Sequence, residues 1–455
     1  MSISKSILLN TDSYKVSMWK QYPENTTGVY SYIESRGGQF DATVFFGLQA
    51  FIKEYLTTPI TQKEIDLAEE VWTAHGEPFN RAGWQYILDV HGGYLPVVIK
   101  AVPEGTAVPN KNVLVTIENT DPECYWLTTW LETALLRAVW YPSTVATLSK
   151  EIKKIIAGFL EETGTPESID FKLHDFGFRG VSSFESASIG AAAHLINFMG
   201  SDTMAGILFA KEYYGEPMAG FSIPAAEHST MTSWGRDGEV RAYRNMLTQF
   251  AKPGAVVACV SDSYDVFNAA ENLWGTELKQ EIIDSGATLV IRPDSGDPEQ
   301  VIMKLLKILG DKFGYTVNDK GFKVLNTVRL IQGDGVNLTA IRAILGDMKV
   351  WGWSADNIAF GMGGALLGAP QRDDQKFAMK ASAVKINGEW IPIAKDPITD
   401  PGKKSKSGRV TCYKNRDGSF RSGVEDWEEP FLQTVFENGK LLNETTFSQI
   451  RENNK

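Results

Sequence analysis

The feature of this sequence that most constrains its fold is a rhythm repeated between residues 171 and 367. A short apolar run ends in polar or glycine residues, and an amphipathic stretch follows. GAVVACVSDSYD gives way to a helical pattern over 267–283, and ATLVIRPDSG to another after Asp297. There Asp297 is placed to cap, Pro298 suits a first helical turn, and Val301, Leu305, Ile308 and Leu309 fall on one stripe. VRLIQGDG precedes a third helix from Asn337 onward, with Leu338, Ile341, Ile344 and Leu345 in line, and DNIAFGMGG ends the series. FKLHDFGFRG and, less cleanly, FSIPAAEHS form earlier units. Apolar strands buried on both faces and alternating with helices read as a parallel sheet. So many units in one continuous segment favour an α/β barrel, closed or nearly so, over an open sheet. The fold class expected is α/β, with the barrel over 151–379. Its companion is a second α+β domain formed from both termini, residues 1–150 and 380–455, which carry strand-like runs such as GVYSYIES, NVLVTIEN and VKINGEWIPI.

Composition narrows the function. The net charge of -11 over 455 residues repels phosphate backbones, so no nucleic-acid partner is expected. Cys124, Cys259 and Cys412 are far apart and form no CxxC pair, which reads as free thiols in a reducing cytoplasm. The N-terminal apolar run is too short for a signal peptide. No stretch reaches the roughly 20 apolar residues of a membrane span. The nearest, 187–210, is interrupted by His194, Asn197 and Asp202.

The polar residues gather where the strands end, which is the active-site face of such barrels. They are Asp175, Arg179, Glu227, His228, Asp262, Asp265, Arg292, Asp294, Gly333, Asp334, Gly361, Gly363 and Gly364. IRPDSG puts an arginine and an aspartate two residues apart, where Arg292 can reach a phosphate or ribose oxygen and Asp294 a hydroxyl or metal. The QGDG and GMGG turns let backbone N–H groups approach a phosphate. Each item alone has a plainer reading. RPD is a surface turn, Asp262 and Asp265 are helix caps, and His228 is a buried histidine. The Lys403, Lys404, Lys406 and Arg409 run is a solvated loop, and Tyr14, Phe176 and Phe178 are core. Neither a P-loop nor a dinucleotide fingerprint occurs. Repetition on successive units raises the functional reading: an enzyme acting on a phosphorylated sugar, with a divalent cation.

LLNTDSYKVSMWKQYP, ENTDPECYWLTTWLET, KLHDFGFRGVSS, PAAEHST, SDSYD, IRPDSG, IQGDG and AFGMGG occur in an order that resembles the nicotinamide phosphoribosyltransferase family, over nearly the whole chain. The resemblance implies the type II phosphoribosyltransferase fold and a head-to-tail homodimer with active sites at its interface. The implied substrates are nicotinamide and phosphoribosyl pyrophosphate, with Mg2+ as cofactor and ATP as a coupled substrate. It implies that Phe176 and Tyr14, the latter from the other subunit, sandwich the nicotinamide ring, with Asp12 supporting that edge. Asp202 would accept from the carboxamide, Arg179 would contact the amide side, and Ser222 and Ile223 would line the pocket. Asp265, Arg292 and Asp294 would hold the ribose and the Mg2+–pyrophosphate. Gly333, Asp334, Gly363 and Gly364 would hold the 5′-phosphate and ribose. Arg36, Arg372, Lys380 and Lys403 would face the pyrophosphate or ATP phosphates. His228, oriented by Glu227, would be the phosphorylated histidine. The chain departs from many relatives at Met362, where they carry serine, and after Arg36, where the charged insert of animal relatives is missing. A nicotinate-specific relative and a non-catalytic binding protein are the rival readings. Asp202 argues against the first, because a carboxylate repels a carboxylate substrate.

Overall fold

Six parallel strands lie side by side in the computed structural model. Their order is Gly200–Ser201, Leu173–Asp175, Ile358–Met362, Val328–Gln332, Thr288–Arg292 and Val256–Val260. The structure describes residues 5–400 and 403–455. The two edge strands are joined through the segment 221–225, since Phe221 bridges Gly200 and Ala225 bridges Ala258, both in parallel. Phe221 N donates to Met199 O at 2.7 Å, and Ala258 N donates to Pro224 O at 3.0 Å. Pro224 has no N–H of its own, so this closure is made of isolated bridges instead of a regular strand. That is why FSIPAAEHS carries a weak strand signal. The closed sheet is the expected α/β barrel.

The helices follow from local chemistry. Asp297 caps Pro298–Phe313 by accepting from Gln300 N at 3.1 Å, and Val301, Ile302, Leu305, Leu306 and Leu309 form the buried stripe. Ile308, expected on that stripe, lies half-buried at its margin. Asn337 caps Leu338–Val350, accepting from Thr339 N and Ala340 N at 3.0 Å, and Ile341, Ile344, Leu345 and Met348 are buried. The helix expected over 267–283 is not one α-helix. It runs as Val266–Asn268, a π-helical stretch Ala269–Glu277, and then Lys279–Ser285. A Cβ on Gly275 would lie 2.6 Å from Ala270 O, so the wide turn depends on glycine there.

The chain divides into two compact units. One comprises Leu148–Phe209 and Met218–Ala369, and holds the barrel. The other comprises Met1–Thr147, Ala210–Pro217 and Pro370–Lys455. Its seven-stranded sheet is antiparallel at every pair. Strands from both ends of the chain interleave in it: Phe377–Ile386 pairs with Thr26–Ser35, and Gln433–Glu437 with Val97–Ala101. The second domain of the fold is thus α+β and drawn from both termini. Its core includes Trp84, whose ring meets Trp126 and Trp130 edge-on at 4.9 and 5.1 Å. Among the described residues no helix is long and apolar enough to cross a membrane. The first four residues of the N-terminal segment, and Pro401 and Gly402 of the basic loop, lie outside the described residues.

Candidate active site

Asp175 ends its strand fully buried. Its Oδ1 accepts from Gly177 N at 2.7 Å and its Oδ2 from Ser201 Oγ at 3.0 Å, which ties two neighbouring strand ends together. Its work is structural. The turn after it sends the Phe176 ring across the adjoining strand end. A Cβ on Gly361 would lie 2.6 Å from that ring's Cε1, and one on Gly363 would lie 2.9 Å from Cε2. Gly361 and Gly363 of AFGMGG are therefore required by a close-packed aromatic face. A Cβ on Gly333 would lie 3.8 Å from the same ring and 3.6 Å from Asp294 Oδ1, so ring and acid flank one turn. Met362 is buried, and its carbonyl accepts from Phe176 N at 3.2 Å.

Asp202 N donates to Asp175 O at 2.7 Å, which fixes Asp202 beside the same strand end. His174 Nε2 lies 3.1 Å from Asp202 Oδ1, and Ser222 Oγ donates to the same oxygen. Burial pushes the Asp202 carboxyl up, but the bond and charge of His174, the Ser222 hydroxyl and Arg292 outweigh it and hold it below its ordinary value. Ser222 and Ile223 are exposed on the closing segment. Arg179 is exposed on the turn Phe178–Gly180, where Phe178 meets Phe184 edge-on at 6.0 Å.

His228 opens the short helix His228–Thr232. Its Nε2 lies 2.9 Å from Asp262 Oδ1, and Asp262 Oδ2 accepts from Ser295 Oγ at 2.6 Å. Burial raises the Asp262 carboxyl, yet the bonds from Ser295 and His228 more than offset it and leave it depressed. His228 Nδ1 is 3.8 Å from Asp294 Oδ2, beyond hydrogen-bonding distance. Among the described residues no hydrogen bond joins Glu227, expected to orient His228, to that histidine. Glu227 accepts from Ser229 Oγ, and its N–H is capped by Thr230 Oγ1, because it is the N-cap of the helix that His228 begins. Asp265, expected at the reacting centre, is likewise engaged as a cap. Its Oδ1 accepts from both Phe267 N and Asn268 N at 3.0 Å.

Arg292 Nε is buried without a hydrogen-bond partner among the described residues, and Asp294 Oδ1 is 3.9 Å away. Gln332 Nε2 donates to Asp334 O at 2.7 Å and shapes the QGDG turn, where Gly335 takes φ 67°. Gly363 precedes the single helical turn Gly364–Leu367.

The remaining candidates lie in the antiparallel unit. Asp12 accepts from Thr133 Oγ1 at 2.6 Å, and Tyr14 is 60% exposed with Lys15 Nζ 5.1 Å above its ring. Arg36 Nε donates to Glu34 at 2.9 Å. Burial depresses the Lys380 ammonium against the pull of Glu132, and Arg36, Lys15 and Lys395 add to the depression. These cations form a basic cluster. Arg372 and Lys403 are exposed and paired with Asp373 and Asp400. Three groups escape the sequence reading as parts of the site: His174, Ser295, and Asp262 as the partner of His228. Strand alternation was the available signal for His174, since it faces opposite to Leu173 and Asp175. No spacing rule joins Asp262 to His228.

The residues 171–440 match the family model described as the nicotinate phosphoribosyltransferase (NAPRTase) family, and residues 6–99 match the model described as the nicotinamide phosphoribosyltransferase N-terminal domain. The fold agrees with a solved nicotinate-nucleotide pyrophosphorylase from Pyrococcus furiosus, at a TM-score of 0.64 and 20% identity over 100% of this chain and 96% of that one. The chain is an enzyme of the phosphoribosyltransferase class. A nicotinamide phosphoribosyltransferase of Xanthomonas campestris pv. campestris is 56% identical, covering 98% of this chain and 97% of the relative. One of Acinetobacter baylyi is 32% identical over 99% and 97%. The chain belongs to the nicotinamide phosphoribosyltransferase family.

Proposed function

We propose that the chain transfers the 5-phosphoribosyl group of phosphoribosyl pyrophosphate to nicotinamide, giving nicotinamide mononucleotide and pyrophosphate. The observation that carries this reading is Asp202. Its depressed, ionised carboxylate stands at the strand end that leads into the Phe176 ring. A carboxamide NH2 donates to such a group, and a carboxylate substrate is repelled by it. Both bacterial relatives are named for the same activity.

In the transfer the pyridine nitrogen attacks C1′ of the ribose. The C1′–O bond breaks, and its electron pair leaves with pyrophosphate. The nucleophilic nitrogen carries no proton, so no general base is required. Electrostatic placement does the work instead. The unpaired Nε of Arg292 suits a phosphate or ribose oxygen, and Asp294 a ribose hydroxyl. The glycine turns at Gly333, Gly363 and Gly364 offer backbone N–H groups to the 5′-phosphate. Asp294 would hold a magnesium ion carried by the pyrophosphate, and the ion would supply neutralisation of the leaving group's charge. Asp294 offers one carboxylate, which fits an ion that keeps its water and substrate oxygens. The basic cluster of Arg36 and Lys380, with Arg372 and Lys403, suits the pyrophosphate and ATP phosphates.

ATP is coupled through His228. With Nε2 donating to Asp262, Nδ1 carries the free lone pair. Nδ1 attacks the γ-phosphorus, the bond to the bridging oxygen breaks, and ADP departs with the electron pair. A homodimer in which Tyr14 of the partner subunit covers the nicotinamide ring accounts for the exposure of Tyr14. A cytoplasmic location suits three buried, free cysteines. The test is formation of nicotinamide mononucleotide from nicotinamide and phosphoribosyl pyrophosphate, with and without ATP. Absence of product under both conditions would refute the reading.

A further inference from the structure

Asp202 has two carboxylate oxygens, and the protein occupies them unequally. His174 Nε2 at 3.1 Å and Ser222 Oγ both engage Oδ1. Among the described residues no hydrogen bond or ion pair involves Oδ2. An amide needs one oxygen aimed at it, and here the other is pinned. His174 is itself held. It occupies the middle of Leu173–Asp175, and a Cβ on Gly200 would lie 2.7 Å from His174 Nδ1, so only glycine on the neighbouring strand leaves room for the ring. Behind that glycine, His194 is fully buried with Nδ1 3.0 Å from Ser149 Oγ and Nε2 3.2 Å from Gly200 O. The ring that holds Asp202 is thus packed from behind by a satisfied polar pair.

We propose that His174 is a positioning residue that sets the preference for an amide over an acid substrate, by holding Asp202 with Oδ2 turned to the ligand. The proposal rests on Asp202 reading the carboxamide. If His174 did not donate, Ser222 alone would restrain the carboxylate, and it would rotate and present its oxygens without bias. The charged and titratable groups facing Asp202 are His174 and Arg292, and His194 faces His174 from behind. With His174 removed, burial is opposed by Ser222 and Arg292 without its bond and charge, and Asp202 takes up a proton at a higher pH. A protonated Asp202 no longer repels nicotinate.

The experiment measures kcat and KM for nicotinamide and for nicotinate across a pH series. The proteins are the wild type, His174→Leu, His174→Asn, His174→Gln and Asp202→Asn, with thermal melting as a control of folding. In His174→Leu the KM for nicotinamide rises about tenfold, more than kcat falls, as expected when a bond to a charged group is lost. Its preference for nicotinamide over nicotinate narrows further as pH falls. His174→Gln, which still reaches Oδ1 with an N–H, recovers most of the preference. His174→Asn, too short to reach, behaves like His174→Leu and replaces it if the leucine variant fails to fold. The proposal is overturned if Asp202→Asn shifts the preference while His174→Leu and His174→Asn keep the wild-type ratio. If Asp202→Asn also leaves the ratio unchanged, it is the reading of Asp202 as amide acceptor that fails.

Discussion

His228 Nε2 and Asp262 Oδ1 meet at 2.9 Å, joining a helix start to a strand end 34 residues further along the chain. Asp262 is anchored on its other oxygen by Ser295, so the imidazole is held by a carboxylate that is itself fixed. Asp262→Asn is expected to lower ATP hydrolysis at least about tenfold, since it removes a charge-assisted bond. Glu227→Gln is expected to leave it within about twofold, because that side chain serves the helix cap. His228→Ala abolishes ATP hydrolysis and ATP stimulation but leaves a slow, ATP-independent transfer. Label from γ-labelled ATP is expected on the wild-type protein in an acid-labile, base-stable bond. Stimulation by ATP without any such label would mean that ATP acts as an allosteric ligand.

The same pair makes stability depend on pH. The Asp262 carboxyl is depressed in the folded state, so its contribution is complete above its unfolded value of about 4 and is lost as pH falls through the lower folded value. Denaturant melts taken from pH 6 to pH 3 should show a shallower acid decline for Asp262→Asn than for the wild type. Parallel declines would mean that the Ser295 and His228 bonds do not stabilise the charged form.

Two glycines separate aromatic packing from backbone phosphate binding. Gly361→Ala drives a methyl into the Phe176 ring, whereas a Cβ on Gly364 meets nothing within 4 Å. Gly361→Ala is expected to destabilise by about 1–3 kcal/mol and to raise the KM for nicotinamide. Gly364→Ala is expected to fold with a melting curve close to the wild type. Equal melting curves for the two would show that the ring relaxes freely.

A site shared between subunits predicts complementation. Tyr14→Ala and Arg292→Ala homodimers are each expected to lose most activity. A mixed dimer recovers one intact site, because both lesions fall in the same pocket. Mixed dimers verified by mass that remain inactive would argue that each chain builds its site alone.

The barrel was legible because its strands are buried on both faces and its helices carry their own caps, as Asp297 and Asn337 do. The closing segment was faint because Pro224 removes a ladder donor. The π-helical run was hidden because Ala269–Glu277 keeps a helical composition while Gly275 permits a wider turn. At the site, the resemblance implied Glu227 as the group that orients His228, but a helix N-cap turns its side chain to the backbone ahead of it. Asp262 comes to His228 only through the pairing of strand ends, which no local pattern encodes. His174 stands inside the KLHDFGFRGVSS run, but nothing in that run points to Asp202; the contact exists because two adjacent strands end side by side.

Competition between nicotinamide and nicotinate tests the central claim most directly. Both are supplied at equal concentration with limiting phosphoribosyl pyrophosphate, and the two mononucleotides are separated and counted. An ionised Asp202 predicts an excess of the amide product of about a hundredfold, the scale set when one charged contact to the substrate changes from attractive to repulsive. Equal amounts of the two products, or an excess of the acid product, would contradict the account.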